Sequence, residues 1–576
     1  MEQSRAVIQA WLTRALPGAW VVCVALLITA PMLAPGFILS YDMVFTPRQD
    51  LLPASVGLGG GLPRAVPQDA VVALVEYVVP GMIVQKVIIL AIPVLTGFGM
   101  LRLLATAGRR AAVVAATLAM VAPFVTERLI IGHWALLLAY ALTPWALHLA
   151  RRLRREGGAL DAVRLVLVMA LAGLTPSGSL LVTFLALPIA VGPGAHLSGR
   201  LRALVSLAAL GTWLPWLLPA LVHPNAGVSD SAGAEVFALR SEGPWGLLLT
   251  ALGTGGVWNA DVVPVSRTLI LAPVAAGVVV VLALVGAAPA VRVLGRATVG
   301  WWATVSVAGL VGALMSGSAP WAWFVEVIPG AGLLRDAHKL LAPLALLLAA
   351  AAGLGVARVA RRIPDATGAG AVVVAAMLLP LLLQPDALWG AGGRLRPVEY
   401  PAAWQDVRDR VNASDQPGDV LVLPWTAFRQ YPWNDDRTML DPAPRWLPRP
   451  SVVADDLTVS TSDGLVVVSG DDPRAREVGE ALSLGRDVTA LLGPMGVGWV
   501  LLDGPGQLPS GLVPDQPLDG LTLAQVPGSI TIPPVPAGSA LVIVVDLFVV
   551  LGLAGAAVAL GAARVNRRRH GRSLLR

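Results

Sequence analysis

Charge is scarce in this sequence. Only 14% of its 576 residues are Asp, Glu, Lys or Arg, against roughly 25% in a soluble globular chain, and mean hydropathy is +0.72. So little charge excludes a water-soluble fold for most of the chain, which must meet lipid instead. Cysteine is scarcer still. Cys23 stands alone in the first apolar run, which excludes an intrachain disulfide framework and any cysteine metal site. Lysine occurs only at Lys86 and Lys339. With abundant Ala, Gly, Val, Pro and Arg, this bias is that of a GC-rich bacterial genome such as an actinobacterial one, so Arg-for-Lys choices carry no chemistry here. Nucleotide signatures are missing too. No P-loop, dinucleotide fingerprint, HExxH or GxSxG element stands where its chemistry needs it, which argues against an ATP-driven transporter. The glycine-rich stretch 57–61 precedes no helix and reads as a flexible loop. No repeat recurs at a fixed period.

What the chain does have is apolar runs, many of them near the ~20 residues a helix needs to cross the hydrocarbon core. They lie at 16–36, 81–103, 111–125, 134–150, 164–175, 178–193, 203–222, 268–287, 299–316, 338–357, 368–384 and 539–562. The pattern predicts an all-α polytopic membrane protein of about twelve transmembrane helices. Every second connection is basic: Arg102, Arg109 and Arg110; Arg151, Arg152, Arg154 and Arg155; Arg200 and Arg202; Arg292 and Arg296; Arg358, Arg361 and Arg362; and a tail from Arg564. That alternation predicts a multi-pass plasma-membrane protein with both termini in the cytoplasm. The net charge of +6 and pI near 10 come from these loops, so nucleic acid is not an expected partner. Arg5 and Arg14 precede the first run with no small-residue cleavage site, so it reads as a retained span.

The other connections are longer, mixed in charge and rich in Trp, Pro and Gly: 37–80, 126–133, 223–267, 317–337 and 385–538. Pro244-Trp245 before a short apolar stretch predicts an interfacial helix at 245–252. Residues 385–538 have soluble character and divide the chain into a membrane part (1–384), an extracytoplasmic domain (385–538) and a last span with its basic tail (539–576). Within that domain, Trp404, Val407 and Val411 share a helical stripe over 401–411. The run Asp419–Pro424 reads as a buried strand ending at its proline, and 497–502 as a second. Asp472-Pro473 opens a helix running to Gly493-Pro494. The expected unit is a small α/β domain. Asn412-Ala413-Ser414 matches a glycosylation sequon, without meaning in a bacterial chain.

Polar groups gather at the outer ends of the spans: Tyr41-Asp42 and Asp50, then Glu127, Arg128, His133 and Trp134, then Arg335, Asp336, His338 and Lys339. Charges at a membrane boundary are costly unless solvated or paired, so each cluster marks a candidate site, with snorkelling and interfacial ion pairs as the alternative. The stretch Ala122-Pro123-Phe124-Val125-Thr126-Glu127-Arg128…Gly132-His133-Trp134, continuing to Tyr140…Pro144-Trp145, and the segment Leu334-Arg335-Asp336-Ala337-His338-Lys339 carry a resemblance. With Asp42 just past the first span, they resemble the GT-C superfamily of membrane glycosyltransferases. More narrowly, they resemble the membrane part of actinobacterial arabinofuranosyltransferases that build cell-wall arabinan. The likeness covers roughly residues 15–360. One departure stands out: many GT-C enzymes carry paired acids in the first outer loop, whereas Asp42 and Asp50 stand eight apart.

The resemblance implies a GT-C-like fold and transfer of a sugar from a polyprenyl phosphate to a cell-envelope glycan or glycolipid on the outer face. It implies Asp42, or alternatively Asp50, as the base that deprotonates the acceptor hydroxyl. Arg335, Lys339 and Arg128 would hold the donor phosphate, and Glu127, His133, Trp134, Asp336 and His338 would line the sugar and acceptor side. Trp321 and Trp323 are further stacking candidates, although Trp at an interface is also what the aromatic belt supplies. A divalent ion, Mg or Mn, would find only Asp42 or Asp50 and water, without a dedicated ligand set. Two other classes compete: a transporter or flippase for a lipid-linked glycan, and a non-catalytic GT-C-like scaffold of envelope synthesis. The first requires charges deep inside the spans, and few occur there.

Overall fold

The protein is seen in a computed structural model that describes residues 2–223, 231–461, 464–516 and 518–573. The side chains of residues 2–14, 231–232, 460–461 and 564–573 fall outside the described set, and with them Arg5, Arg14 and the basic tail; so do residues 224–230, within the 223–267 connection of the sequence.

All twelve apolar runs lie on helices, the form that pairs every backbone polar group internally where lipid offers no partner. Among the described residues, eight helices are long and apolar enough to cross a membrane: Ala15–Leu33, Gly81–Leu103, Arg109–Ile130, Leu271–Leu294, Arg296–Met315, Ala337–Ala360, Ala366–Leu383 and Ser539–Ala563. Gly199–Gly211 and Leu214–Val222 make a ninth if taken as one span bent by 57°; Pro215, with no N–H to donate, starts the second half. The other runs lie on Trp134–Glu156, which ends in basic residues, and on the shorter Ala159–Ala172 and Pro176–Val191.

Burial sorts these helices into centre and rim. In Arg109–Ile130 and Ala337–Ala360, 89% and 83% of the apolar window is buried, against 28% for Leu271–Leu294 and 17% for Ala366–Leu383. Small residues allow the closest crossing. A Cβ on Gly286 would stand 1.8 Å from the Ala351 carbonyl oxygen, and one on Gly355 1.9 Å from that of Leu282, the small-residue packing that membrane helices favour. One expectation is corrected here: residues 126–130 are helix, not loop. Pro123–Ile130 continues the preceding helix past a break at Val121, which draws Glu127 and Arg128 into the interior.

The region after Leu383 carries eight strands among the described residues: β1 (Asp419–Leu423), β2 (Phe428–Gln430), β3 (Thr438–Leu440), β4 (Ser451–Val452), β5 (Leu457–Thr461), β6 (Gly464–Val468), β7 (Val497–Asp503) and β8 (Leu521–Gln525). A four-stranded sheet runs β4-β1-β7-β8, parallel except for β7–β8. The α/β expectation holds in outline, with β1 and β7 where the apolar runs stand and Ala402–Ala413 covering them. The expected single helix from Pro473 is instead two pieces, Pro473–Ser483 and Thr489–Leu492. Gly485, at φ +64°, turns the chain out of the first helix.

This region packs onto the connection that follows the first span (37–80). Tyr41 adds to the edge of β3: its N–H donates to Thr438 O at 2.7 Å, and Leu440 N–H donates to Tyr41 O at 2.8 Å. Phe37 pairs with Val398, and Trp404 and Trp446 belong to the same apolar core as the membrane helices.

Candidate functional site

Asp42 sits in a tight turn clamped from two sides. On one side Tyr41 is held by β3. On the other, Asp42 N–H donates to Ile131 O at 3.2 Å and Ser40 Oγ to Ile130 O at 2.7 Å. Gly132 makes this contact possible. Its φ is +85°, and a Cβ there would meet Met43 N at 2.2 Å and Ser40 O at 2.6 Å.

From this turn a chain of hydrogen bonds runs into the protein. Arg128, with N–H groups only, donates through Nη1 to His133 Nδ1 at 2.8 Å. Nδ1 is therefore the acceptor, and the ring proton sits on Nε2, which donates to Asp42 Oδ2 at 2.9 Å. Behind them, Arg128 makes a two-pronged bond to Asp336, both contacts at 2.6 Å. Lys339 Nζ lies 3.5 Å from Asp336 Oδ2. Burial lowers the His133 pKa, the Asp42 bond partly restores it, and Arg128 lowers it again, so the net depression leaves a neutral imidazole. Burial would raise the Asp42 carboxyl, but the His133 hydrogen bond and the charges of Lys339 and Arg445 hold it below the usual carboxylate range. Asp336 is pushed up by burial and drawn much further down by Arg128 and Lys339.

Exposure separates the members of this network. The Asp42 side chain is 45% exposed, Lys339 27% and His133 16%, whereas Arg128 is sealed. Asp42 is open to solvent on one side and held by its network on the other. Water or a ligand can reach Asp42 and Lys339 but not Arg128.

The remaining sequence candidates divide. Glu127 is buried, accepting the Val257 N–H at 3.1 Å, and stands 3.5 Å from His338 Nε2, which donates to Thr254 O at 3.1 Å. Both lie beside the network but away from solvent. Trp134 is buried against Phe45, ring centres 5.4 Å apart. Asp50 stands apart, ion-paired with Arg408 of the sheet-bearing region. Arg335 lies over the Phe237 ring at 4.8 Å. It shares no helical turn with Lys339, because Asp336 at ψ 86° breaks the segment before a short 3-10 turn. Trp321 packs on Phe324, and Trp323 is exposed. Among the described residues no group of three or more His, Cys, Asp and Glu side chains converges on one point; the carboxylate nearest Asp42 in the network, Asp336, is spent on Arg128.

The sequence reading missed Arg445. It follows β3 on a short helix, bonds to Asp69 of the first outer loop at 3.1 Å, and adds its charge to the field at Asp42. Nothing local marks it. It also missed the buried Arg267–Glu242 pair, 2.8 Å apart, in the connection beneath Glu127.

A bundle of long apolar helices packed against a sheet-bearing region, with a charged network where the two meet, is the architecture of a multi-pass membrane protein. The chain is similar to the mycobacterial arabinofuranosyltransferase AftD: one solved structure superposes with a TM-score of 0.56 at 17% identity, covering 91% of this chain and 40% of that one. A variant form of the same protein superposes with a TM-score of 0.53, also at 17% identity, covering 91% of this chain and 42% of the other. At that identity the likeness is one of fold, and this chain spans about two fifths of the relative's length. No family model and no curated protein matches the sequence.

Proposed function

We propose that this protein is a GT-C-type glycosyltransferase that takes a sugar from a polyprenyl phosphate on the outer face of the plasma membrane and adds it to a cell-envelope glycan or glycolipid. The observation that carries this reading is the Asp42 carboxylate, open to solvent and held by the hydrogen-bonded line His133–Arg128–Asp336. The reading takes all twelve helical runs as crossings, which places Asp42 and the sheet-bearing region outside.

In the proposed step the acceptor hydroxyl attacks the anomeric carbon and gives its proton to Asp42. The bond from that carbon to the donor phosphate breaks, and the polyprenyl phosphate leaves as a monoester carrying one further negative charge. Lys339, part-exposed, and Arg445, whose charges both act on Asp42, would stabilise that charge. Arg128 takes a different role from the one its sequence position suggests. Sealed and bound to Asp336, it orients His133 and through it Asp42. A divalent ion at Asp42 would meet one carboxylate and take its other ligands from water and phosphate; the step above does not require it.

An assay in nanodiscs with polyprenyl-phosphate sugars tests this. Asp42→Asn is expected to keep donor binding and lose 10²–10⁴ of the rate, the usual range for a positioned base. Lys339→Gln is expected to weaken donor binding and rate together by about 1.5–3 kcal/mol. Full turnover in Asp42→Asn would move the base elsewhere, Asp50 first. A glycan transporter would instead move lipid-linked sugar between leaflets without new glycosidic bonds.

A further inference from the structure

Two hollows open at the opposite, basic end of the bundle. The first, of about 240 Å³, is lined by Arg151, Arg154, Arg155, His196 and Arg296. Its inner arginines are engaged: Arg151 donates to Leu294 O at 3.0 Å and Val293 O at 2.6 Å, and Arg154 to Ile189 O at 3.1 Å. They close helix ends, and that accounts for them.

The second hollow, of about 470 Å³, is different. It lies between the ends of Leu271–Leu294 and Ala337–Ala360 and the turn before Ala366, and Arg292, Arg358, Arg361 and Arg362 line it with Leu354, Pro289 and Ala107. Arg358 donates one N–H to Val285 O at 3.3 Å. Among the described residues no ion pair involves any of the four. The carboxylate nearest in sequence, Asp365, is turned away to cap the Gly368 N–H. Two helix C-termini bring about half a negative charge each, roughly one against four. A hollow with that imbalance calls for an anion. Its depth says which kind, because the four arginines stand at the ends of candidate spans, where lipid headgroups lie. Farther from the basic end, apolar side chains are bare: Val281 and Leu284 on Leu271–Leu294, and Val374 and Leu378 on Ala366–Leu383, the helix that follows the turn. Such flanks suit acyl chains and give a free phosphate nothing.

We propose that this hollow binds the phosphodiester headgroup of an anionic phospholipid, with the acyl chains along the Leu271–Leu294 and Ala366–Leu383 helices. The site is independent of the catalytic reading and stands or falls without it.

The test is lipid retention by the full-length protein in detergent, read by native mass spectrometry, with phosphatidylglycerol and phosphatidylcholine of identical chains. Phosphatidylglycerol is expected to be retained at least tenfold more tightly. The triple variant Arg292→Gln/Arg361→Gln/Arg362→Gln should lose at least tenfold of that affinity. A control triple on the same face outside the hollow, Arg110→Gln/Arg200→Gln/Arg202→Gln, should lose less than threefold. Should the first triple aggregate, Arg361→Gln/Arg362→Gln, both exposed, carries the comparison with a drop of threefold or more. Equal retention of the two lipids, equal loss in the control, or displacement by equimolar inorganic phosphate overturns the proposal; the last would mark a free-phosphate site.

Discussion

A carboxylate that takes a proton must be charged, yet a strongly depressed pKa makes it a weak base. In the proposed reaction Asp42 would meet this compromise, since His133 both orients it and holds its pKa down. Replacing His133 with Phe removes the hydrogen bond but keeps a ring in place. Asp42 should then titrate higher, so the acid limb of kcat/KM moves up in pH while kcat falls through lost orientation. A variant with lower kcat and an unmoved acid limb would leave His133 a packing residue only. Glu76 presents the opposite case. Its Oε2 accepts the Gln49 N–H at 2.5 Å while buried Oε1 has no hydrogen-bond partner among the described residues, and burial raises its pKa from 4.5 to about 7. A raised carboxyl binds its proton more tightly in the folded state, so its stabilisation is full below the unfolded value and is lost as pH rises. The Tm is therefore expected to decline between about pH 4.5 and 7, and Glu76→Gln should flatten that slope. An equal slope in the variant would mean that another group titrates there.

At the scale of elements, the site depends on one loop turn pressed between two structures. The Ser40–Met43 turn is fixed by β3 on one side and by the backbone at Gly132 on the other. Gly132→Ala brings a Cβ into backbone atoms and places alanine at positive φ, a strain of about 1–3 kcal/mol. It is expected to lower the Tm and to cost more than tenfold in turnover, because the turn that carries Asp42 must shift. Wild-type turnover in Gly132→Ala would show that the turn has slack. The aromatic and polar residues after β1 (Arg429, Tyr431, Trp433 and Asn434) belong to this same packing. Arg429 and Tyr431 are buried on Asp441 and Asp503, Trp433 stacks on Tyr431, and Asn434 is buried beneath the first outer loop.

For the whole molecule, the alternation of basic connections predicts an orientation with both termini in the cytoplasm. With Cys23 replaced, single cysteines at Ser318 and Thr426 are expected to react with an impermeant thiol reagent in intact cells, and one at Arg200 only after lysis. The reverse pattern would invert the molecule and put Asp42 inside.

The twelve apolar runs were legible because lipid leaves a chain little choice but helix, and β1 and β7 because a strand buried on both faces is written as an unbroken apolar run. Asp42, His133, Arg128, Asp336 and Lys339 could be picked out singly, since charge at a membrane boundary is rare enough to notice. Their order was not legible. That Arg128 is a buried strut and Lys339 a part-exposed cation depends on a helix running on to Ile130 and a break at Asp336, which place two similar charges at different depths. Arg445 was out of reach altogether. It meets the field of Asp42 across some 400 residues of sequence, through the docking of the sheet-bearing region onto the first loop. Local sequence sets which segments enter lipid. Which charges share one cleft is decided by how distant segments pack, and no local pattern records that.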